Sequence, residues 1–253
     1  LNSSQILKKD IAIILNENKK IILNSENNTF IIHLFNSRFS IDKNYFTNPP
    51  FGIQGDFYNQ DMTFFTLDRI YIKNIRSILN NCNIEIERII LKPFASIVNS
   101  FSEKKLNNNS TIMRISEERS SISVLKNESF IFLENFKFGT DIILHDVSKL
   151  CSLNFETAED IVKNLPFEEL SKDNNEEYLD KKYFKNLSYR KISLKLIYNI
   201  ASSRIDELFD IIYEKNTNLS YLKKNNSNIY FIIDNKNLFN ILNFKFKGKF
   251  NEN

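Results

Sequence analysis

The sequence predicts an α/β protein, and three observations carry that prediction. The first is the order of elements between Glu87 and Leu125. Glu87 to Leu91 is a short apolar run of strand type, closed by Lys92-Pro93, and Phe94 to Phe101 starts a helix. The polar, Asn-rich Glu103 to Ser110 leads on to two β-type runs, Thr111 to Ile115 and Ser120 to Leu125, joined by Ser116-Glu117-Glu118-Arg119. The second is that helix-period and strand-like stretches keep alternating on both sides of this unit. The third is size: 253 residues, 42% hydrophobic and 26% charged, suit one large or two small globular domains.

Taken in order, Gln5 to Leu15 predicts a helix with Ile6, Leu7, Ile11, Ile14 and Leu15 on one face and Ser3 or Ser4 as cap. Lys20 to Leu23 and Thr29 to Leu34 read as strands around an Asn-rich turn. Pro50 to Gly55 is a loop whose glycines permit positive φ before a strand at Met62 to Leu67. Ile70 to Asn81 has helical periodicity, with Asn80-Asn81 as its stop signal. Phe130 to Phe138 is the next strand, Ile192 to Tyr213 a long amphipathic helix, and Ile229 to Ile233 a buried-type strand. Leu165 to Lys185 is polar and reads as a pared-down insertion. Lys245 to Phe250 alternates basic and aromatic residues; it reads as a frayed tail, with a membrane-surface contact as the alternative.

Composition removes several functions. Net charge is +3, without a block of like charge, so there is no electrostatic footprint for nucleic acid. Only His33 and His145 are available as imidazole ligands, far apart, and they are expected to pack in a small subdomain and on a helix rather than bind metal. Cys82 and Cys151 read as reduced core residues of a cytosolic protein. No apolar run reaches the ~18–20 residues of a membrane span, and no signal peptide is seen. The first residue is Leu, which suggests a segment of a longer protein. There is no Walker loop, HExxH or Cys-x-x-Cys, and carboxylate pairs such as Glu117-Glu118 read as solvated surface.

Several motifs together resemble the bacterial cell-division protein FtsA, of the actin-like ATPases. Lys92-Pro93-Phe94-Ala95-Ser96 is similar to that family's Glu-Pro-Leu-Ala-Ser, and His33 to Asp42 and Pro50 to Gly55 are similar to stretches of its protruding subdomain. Cys82 to Ile86, Phe138-Gly139-Thr140-Asp141 with Asp146, Phe155 to Ile161 (including Glu159), and Ile200 to Leu208 resemble further family segments. The resemblance implies an actin-like (ribonuclease H-like) ATPase fold of two lobes with a small protruding α+β subdomain. It divides the chain into residues 1–68 (the protruding subdomain), 69–107 (the rest of the first lobe) and 108–248 (the second lobe, with an insertion at about 165–190).

In that family the hairpin turn is glycine-rich and wraps ATP phosphates. Here the turn falls on Arg114-Ile115-Ser116-Glu117-Glu118-Arg119, without glycine, and Ile233-Asp234 stands where a Gly-Gly pair meets adenine. Arg114 occupies the position of a catalytic-site Asp. Bulk and two carboxylates replace bare amides beside a polyanion, so the resemblance implies a degenerate site over Arg114, Ser116, Glu117, Glu118, Arg119, Gly139, Glu159, Ile233 and Asp234. Arg114 or Arg119 is expected to pair with Glu117 or Glu118. The expectation is a non-enzyme: an FtsA-like scaffold linking FtsZ to the membrane-associated divisome, without cofactor, ATP entering only by resemblance. Its partners would be FtsZ, other divisome proteins and itself, on the cytoplasmic face of the inner membrane, attached through a segment outside this chain. A PilM-like pilus-assembly protein and a sugar-kinase-like enzyme are the alternatives. The FtsZ tail is expected beside the Ile192 to Tyr213 helix, at Tyr189, Arg190, Lys191, Lys195 and Arg204. Cations at a helix entrance oppose the macrodipole by about 0.3–1 kcal/mol, which suggests a task beyond stability.

Overall fold

The computed structural model describes residues 4–25, 28–101, 109–172, 177–184, 188–222 and 228–250, with residues 248–250 described by backbone alone. The chain divides into two compact units, one of residues 1–111 with 123–133 and one of 112–122 with 134–253.

The first unit opens with β1 (Ser4–Gln5), which pairs with β4 (Gln54–Gly55), and with the helix α1 (Lys8–Ser25). The helix runs through Lys20 to Leu23, where the sequence suggested a strand. Ile11, Ile14, Leu15, Asn18 and Ile22 form a half-buried stripe at helical spacing, with no Gly or Pro to stop it. Ser4 lies in β1 rather than capping, and Ser3 is outside the described residues; the Asp10 carboxylate takes the Leu7 N–H instead, at 2.9 Å.

A three-stranded antiparallel sheet follows, ordered β3-β2-β5, with β2 at Thr29–Ile41, β3 at Asn44–Phe46 and β5 at Tyr58–Asp68. Gly52 has φ +78°, the positive value expected in the Pro50 to Gly55 loop. Asp68 caps α2 (Arg69–Asn80) by accepting the Ile70 N–H at 2.8 Å. Ile84 to Leu91 then has no regular secondary structure. Glu87 to Leu91, expected as a strand, has no strand partner among the described residues. Its Leu91 N–H donates to His33 Nε2 at 3.2 Å. Pro93 falls in the first turn of α3 (Lys92–Phe101), where its missing N–H costs nothing. The core of this unit is aromatic: Phe94 meets Phe130, Phe65, His33 and Phe35 at centroid distances of 4.0, 4.8, 5.0 and 5.6 Å. Cys82 is exposed and not in a core, because it sits in the turn after α2; Cys151 is buried as expected.

A second sheet, ordered β8-β7-β6-β9, contains the hairpin β6 (Asn109–Ile115) and β7 (Ser120–Lys126), then β8 (Ser129–Phe136) and the distant β9 (Asn228–Ile233). The helices of the second unit are α4 (Asp141–Cys151), α5 (Phe155–Lys163), α6 (Phe167–Lys172), α7 (Leu194–Phe209) and α8 (Phe239–Phe250). α7 continues as one π-helical stretch, Asp210–Glu214. In the stretch read as a polar, pared-down insertion, Phe167, Leu170, Leu179 and Phe184 are buried. Lys245 to Phe250 is not a frayed tail. It belongs to α8, with Phe246 only 1% exposed and Lys245 Nζ donating to Ser202 Oγ (2.7 Å) and Asp206 Oδ2 (2.8 Å).

Candidate functional site

In open α/β sheets ligands gather outside the carboxyl ends of the strands. Here β6 and β9 end side by side, the Asp234 N–H donating to the Ile115 carbonyl at 3.0 Å. Strand alternation sends Arg114 and Ser116 to one face. The Arg114 guanidinium pairs with Oδ2 of Asp234, and Ser116 Oγ donates to the same oxygen at 3.0 Å. Arg114 is 7% exposed, and its Nε is buried without a hydrogen-bond partner.

Beyond the strand, the Ser116 N–H donates to the Arg119 carbonyl at 2.9 Å and closes the turn, leaving Glu117 and Glu118 exposed at its tip. The carbonyls of this turn do the decisive work. The Thr140 N–H donates to Ser116 O at 2.9 Å and the Asp141 N–H to Glu117 O at 3.0 Å, so two N–H groups at the start of α4 are occupied by the hairpin. Gly139 makes this approach possible, because a Cβ there would lie 2.2 Å from Ser116 O and 2.3 Å from Glu117 O.

A second layer of polar contacts fixes the loop after β9. Asn235, buried, donates from Nδ2 to Thr140 Oγ1 at 3.2 Å. Its Oδ1 accepts the Asn237 and Leu238 N–H groups at 2.9 and 3.3 Å. Asn237 Nδ2 in turn donates to Glu159 Oε1 at 3.0 Å. Burial pushes the Asp141 carboxyl above its ordinary pKa; His145 opposes this, while Glu118 and Glu159 add to it.

Of the residues expected at a degenerate phosphate site, some come together and others stand apart, and one expected pairing is not formed. Arg114 pairs with Asp234, not with Glu117 or Glu118, because the strand points it across the sheet end while the glutamates sit at the turn tip. Arg114, Ser116 and Asp234 form one cluster, Gly139 seats the Glu117 main chain, and Glu159 joins through Asn237. Ile233 ends β9 half-buried, and the Arg119 side chain is exposed. Asn235 and Asn237 were not singled out from sequence, and Thr140 was noted only as part of the Phe138 to Asp141 motif. The available signal was Asp-Asn-x-Asn between an apolar strand and an apolar helix, a capping pattern.

A free helix N-terminus attracts anions. The Thr140 and Asp141 N–H groups at the start of α4 are taken by two hairpin carbonyls, and the buried Arg114 guanidinium is paired with Asp234.

The residues proposed for a partner groove are engaged within the chain. Tyr189 lies edge-on to Phe184 at 5.4 Å, and Arg190 Nη2 donates to the carbonyl of Ser152, the αL residue that ends α4, at 2.7 Å. Lys191 Nζ sits 4.5 Å from the Tyr178 ring centre, and Lys195 Nζ donates to the Leu170 carbonyl. Arg204 binds Asp146 at 2.5 Å and Glu207 at 2.6 Å. The helix begins at Leu194 behind a Ser193 cap, so Arg190 and Lys191 precede its first turn and the macrodipole argument loses its basis. Arg204 lies about 13 Å along the helix from Lys195, beside a shallow cavity of about 350 Å³ that it lines with Asp146, Ile200 and Glu207.

The fold these parts build is that of the actin-like ATPases. In sequence, 115 residues of this chain are 20% identical to the cell division protein FtsA of Streptococcus pneumoniae (serotype 2, strain D39), covering 46% of this chain and 25% of that protein. The match thus spans a quarter of the curated relative's length. No family model matches the chain. Among solved structures, a type IV pilus biogenesis PilM-PilN complex is similar over 97% of this chain and 62% of the matched one, with a TM-score of 0.54 and 11% identity. MreB5 of Spiroplasma citri is similar over 69% of this chain and 59% of that one, at TM-score 0.46 and 18% identity.

Proposed function

We propose that this chain is a scaffold that recruits protein partners and does not turn over ATP, acting in cell division as FtsA-like proteins do. The observation that carries the reading is the closed end of the second sheet. The Arg114–Asp234 pair lies across it, and the hairpin carbonyls occupy the α4 amides that would otherwise receive an anion. The likeness to pneumococcal FtsA favours a division role, with FtsZ as the filament recruited and the cytoplasmic face of the membrane as the location. Among the described residues no helix is long and apolar enough to cross a membrane. Membrane attachment in this reading is peripheral and needs no spanning helix.

A PilM-like role in pilus assembly is the second reading, favoured by structural likeness along 97% of the chain. Two measurements on the full-length protein separate these ideas. Calorimetry with Mg·ATP should give no saturable heat, and micromolar affinity would overturn the closed-site reading. Fluorescence anisotropy with labelled FtsZ C-terminal peptide and with labelled PilN should favour the first; binding of PilN alone transfers the chain to the pilus reading.

A further inference from the structure

We propose that the outer edge of β5 is a self-association surface, on which a second copy of this chain adds its own β5 antiparallel across a two-fold axis through Thr63. The proposal stands independently of the division and pilus readings.

β5 ends its sheet, with β2 on one side and no strand on the other among the described residues. Among the described residues, the backbone of Tyr58–Asp68 bonds to β2 and to no other strand or loop. An edge of this kind is a template for another strand unless something blunts it. The usual devices are missing from β5. It holds no proline, lysine or arginine. The register with β2 shifts between Ile31 and His33 and between Asn36 and Arg38, so the extra residues, Ile32 and Ser37, lie on β2 while β5 runs on regularly. Its two carboxylates are already engaged. Asp61 is paired with Arg38 at 2.8 Å, and Asp68 caps α2 while accepting from Asn28 Nδ2 at 2.9 Å. Every other residue of the strand is uncharged, and the strand is half-buried from Gln60 to Leu67, as a strand missing one neighbour should be.

The edge is also complementary to itself. Facing residues of an antiparallel pair must present the same edge, so two identical strands meet with the two-fold axis through a residue. Thr63 is the middle of Tyr58–Asp68, so an axis there uses the whole strand. Thr63 then faces its own copy, Asp61 faces Phe65, Asp68 faces Tyr58 and Met62 faces Phe64. No carboxylate opposes another: Met62 and Phe64 meet each other, Phe65 meets the ion-paired Asp61, Tyr58 meets the hydrogen-bonded Asp68, and Leu67 meets the uncharged Asn59.

The position on the axis provides the test. In Thr63→Lys and in Thr63→Glu, like charges face each other at the axis, and each variant should dimerise about fivefold or more weakly than wild type in sedimentation at low salt. An equimolar mixture of the two restores opposite charges at that point and should recover the dimer. Loss of folding cannot produce that recovery, and far-UV circular dichroism of each variant alone checks the fold directly. Three results overturn the proposal: Thr63→Lys associating like wild type, the mixture remaining monomeric, or a wild-type chain monomeric throughout the concentration series. The last would leave the edge to an extended segment of some other protein.

Discussion

Arg114 and Asp234, 120 positions apart, meet as an ion pair at the shared end of β6 and β9. Each departs from the pattern of FtsA-like proteins, and either change alone would place an unmatched charge at a strand end. Together they neutralise one another. The charge match is what the proposed closed-site reading rests on at this strand end.

The two members should respond unequally to removal. The Arg114 side chain is 8% exposed and that of Asp234 36%. Asp234→Ala strands a buried guanidinium and should cost about 2–3 kcal/mol, whereas Arg114→Met leaves a carboxylate that water can reach and should cost less. The double variant should be less destabilised than the sum of the two. Urea unfolding of the four proteins measures this coupling, and strict additivity would remove the pair from the argument.

Gly139→Ala tests the seating of the hairpin. The new methyl would lie within 2.3 Å of two main-chain oxygens, Ser116 O and Glu117 O, and backbone cannot yield as a flexible side chain does. A loss of about 1–3 kcal/mol is expected, together with faster amide exchange at Thr140 and Asp141. Unchanged protection at those amides would mean that the turn does not rest there.

Much of this architecture was legible in the sequence because local pattern and tertiary context agree. The β6–β7 hairpin, α2, β9 and the Gly52 turn all fall close to where periodicity and turn chemistry place them. Legibility failed where an apolar run is ambiguous. Lys20 to Leu23 suits a strand locally, yet a helix already propagating from Lys8 absorbs it. Glu87 to Leu91 has strand composition, but pairing is a property of two segments and this one lacks its partner among the described residues. The absence of glycine from the β6–β7 turn was readable directly. The Arg114–Asp234 pair was not, because nothing local links residues so far apart.

His33 should make the first unit sensitive to mild acid. Burial holds its pKa below the ordinary imidazole value of 6.5, and its Nε2 accepts the Leu91 N–H, which an imidazolium cannot do. With the folded pKa below the unfolded one, the stabilisation is present above pH 6.5 and is lost as pH falls through the folded value. Wild type should therefore melt at lower temperature at pH 5 than at pH 7.5, by more than His33→Gln does, since glutamine offers an acceptor that does not titrate. Parallel melting curves for the two proteins would exclude His33 as the cause.

The end of α8 is where a tail and a structural element make opposite predictions. Phe246 stacks on Phe231 at 4.5 Å with rings 12° apart, also meets Phe209, and is 1% exposed. Phe246→Ala should cost about 3–5 kcal/mol, the range for a buried aromatic whose cavity cannot collapse. Lys245→Met keeps the aliphatic stem but gives up the bonds to Ser202 and Asp206, and should cost about 1–2 kcal/mol. Both effects belong to the same unit of the chain, so they should appear in one unfolding transition and raise susceptibility to proteolysis near α7 as well as at the chain end. A protein cut after Asn243 that melts like wild type would show that these residues are a tail after all.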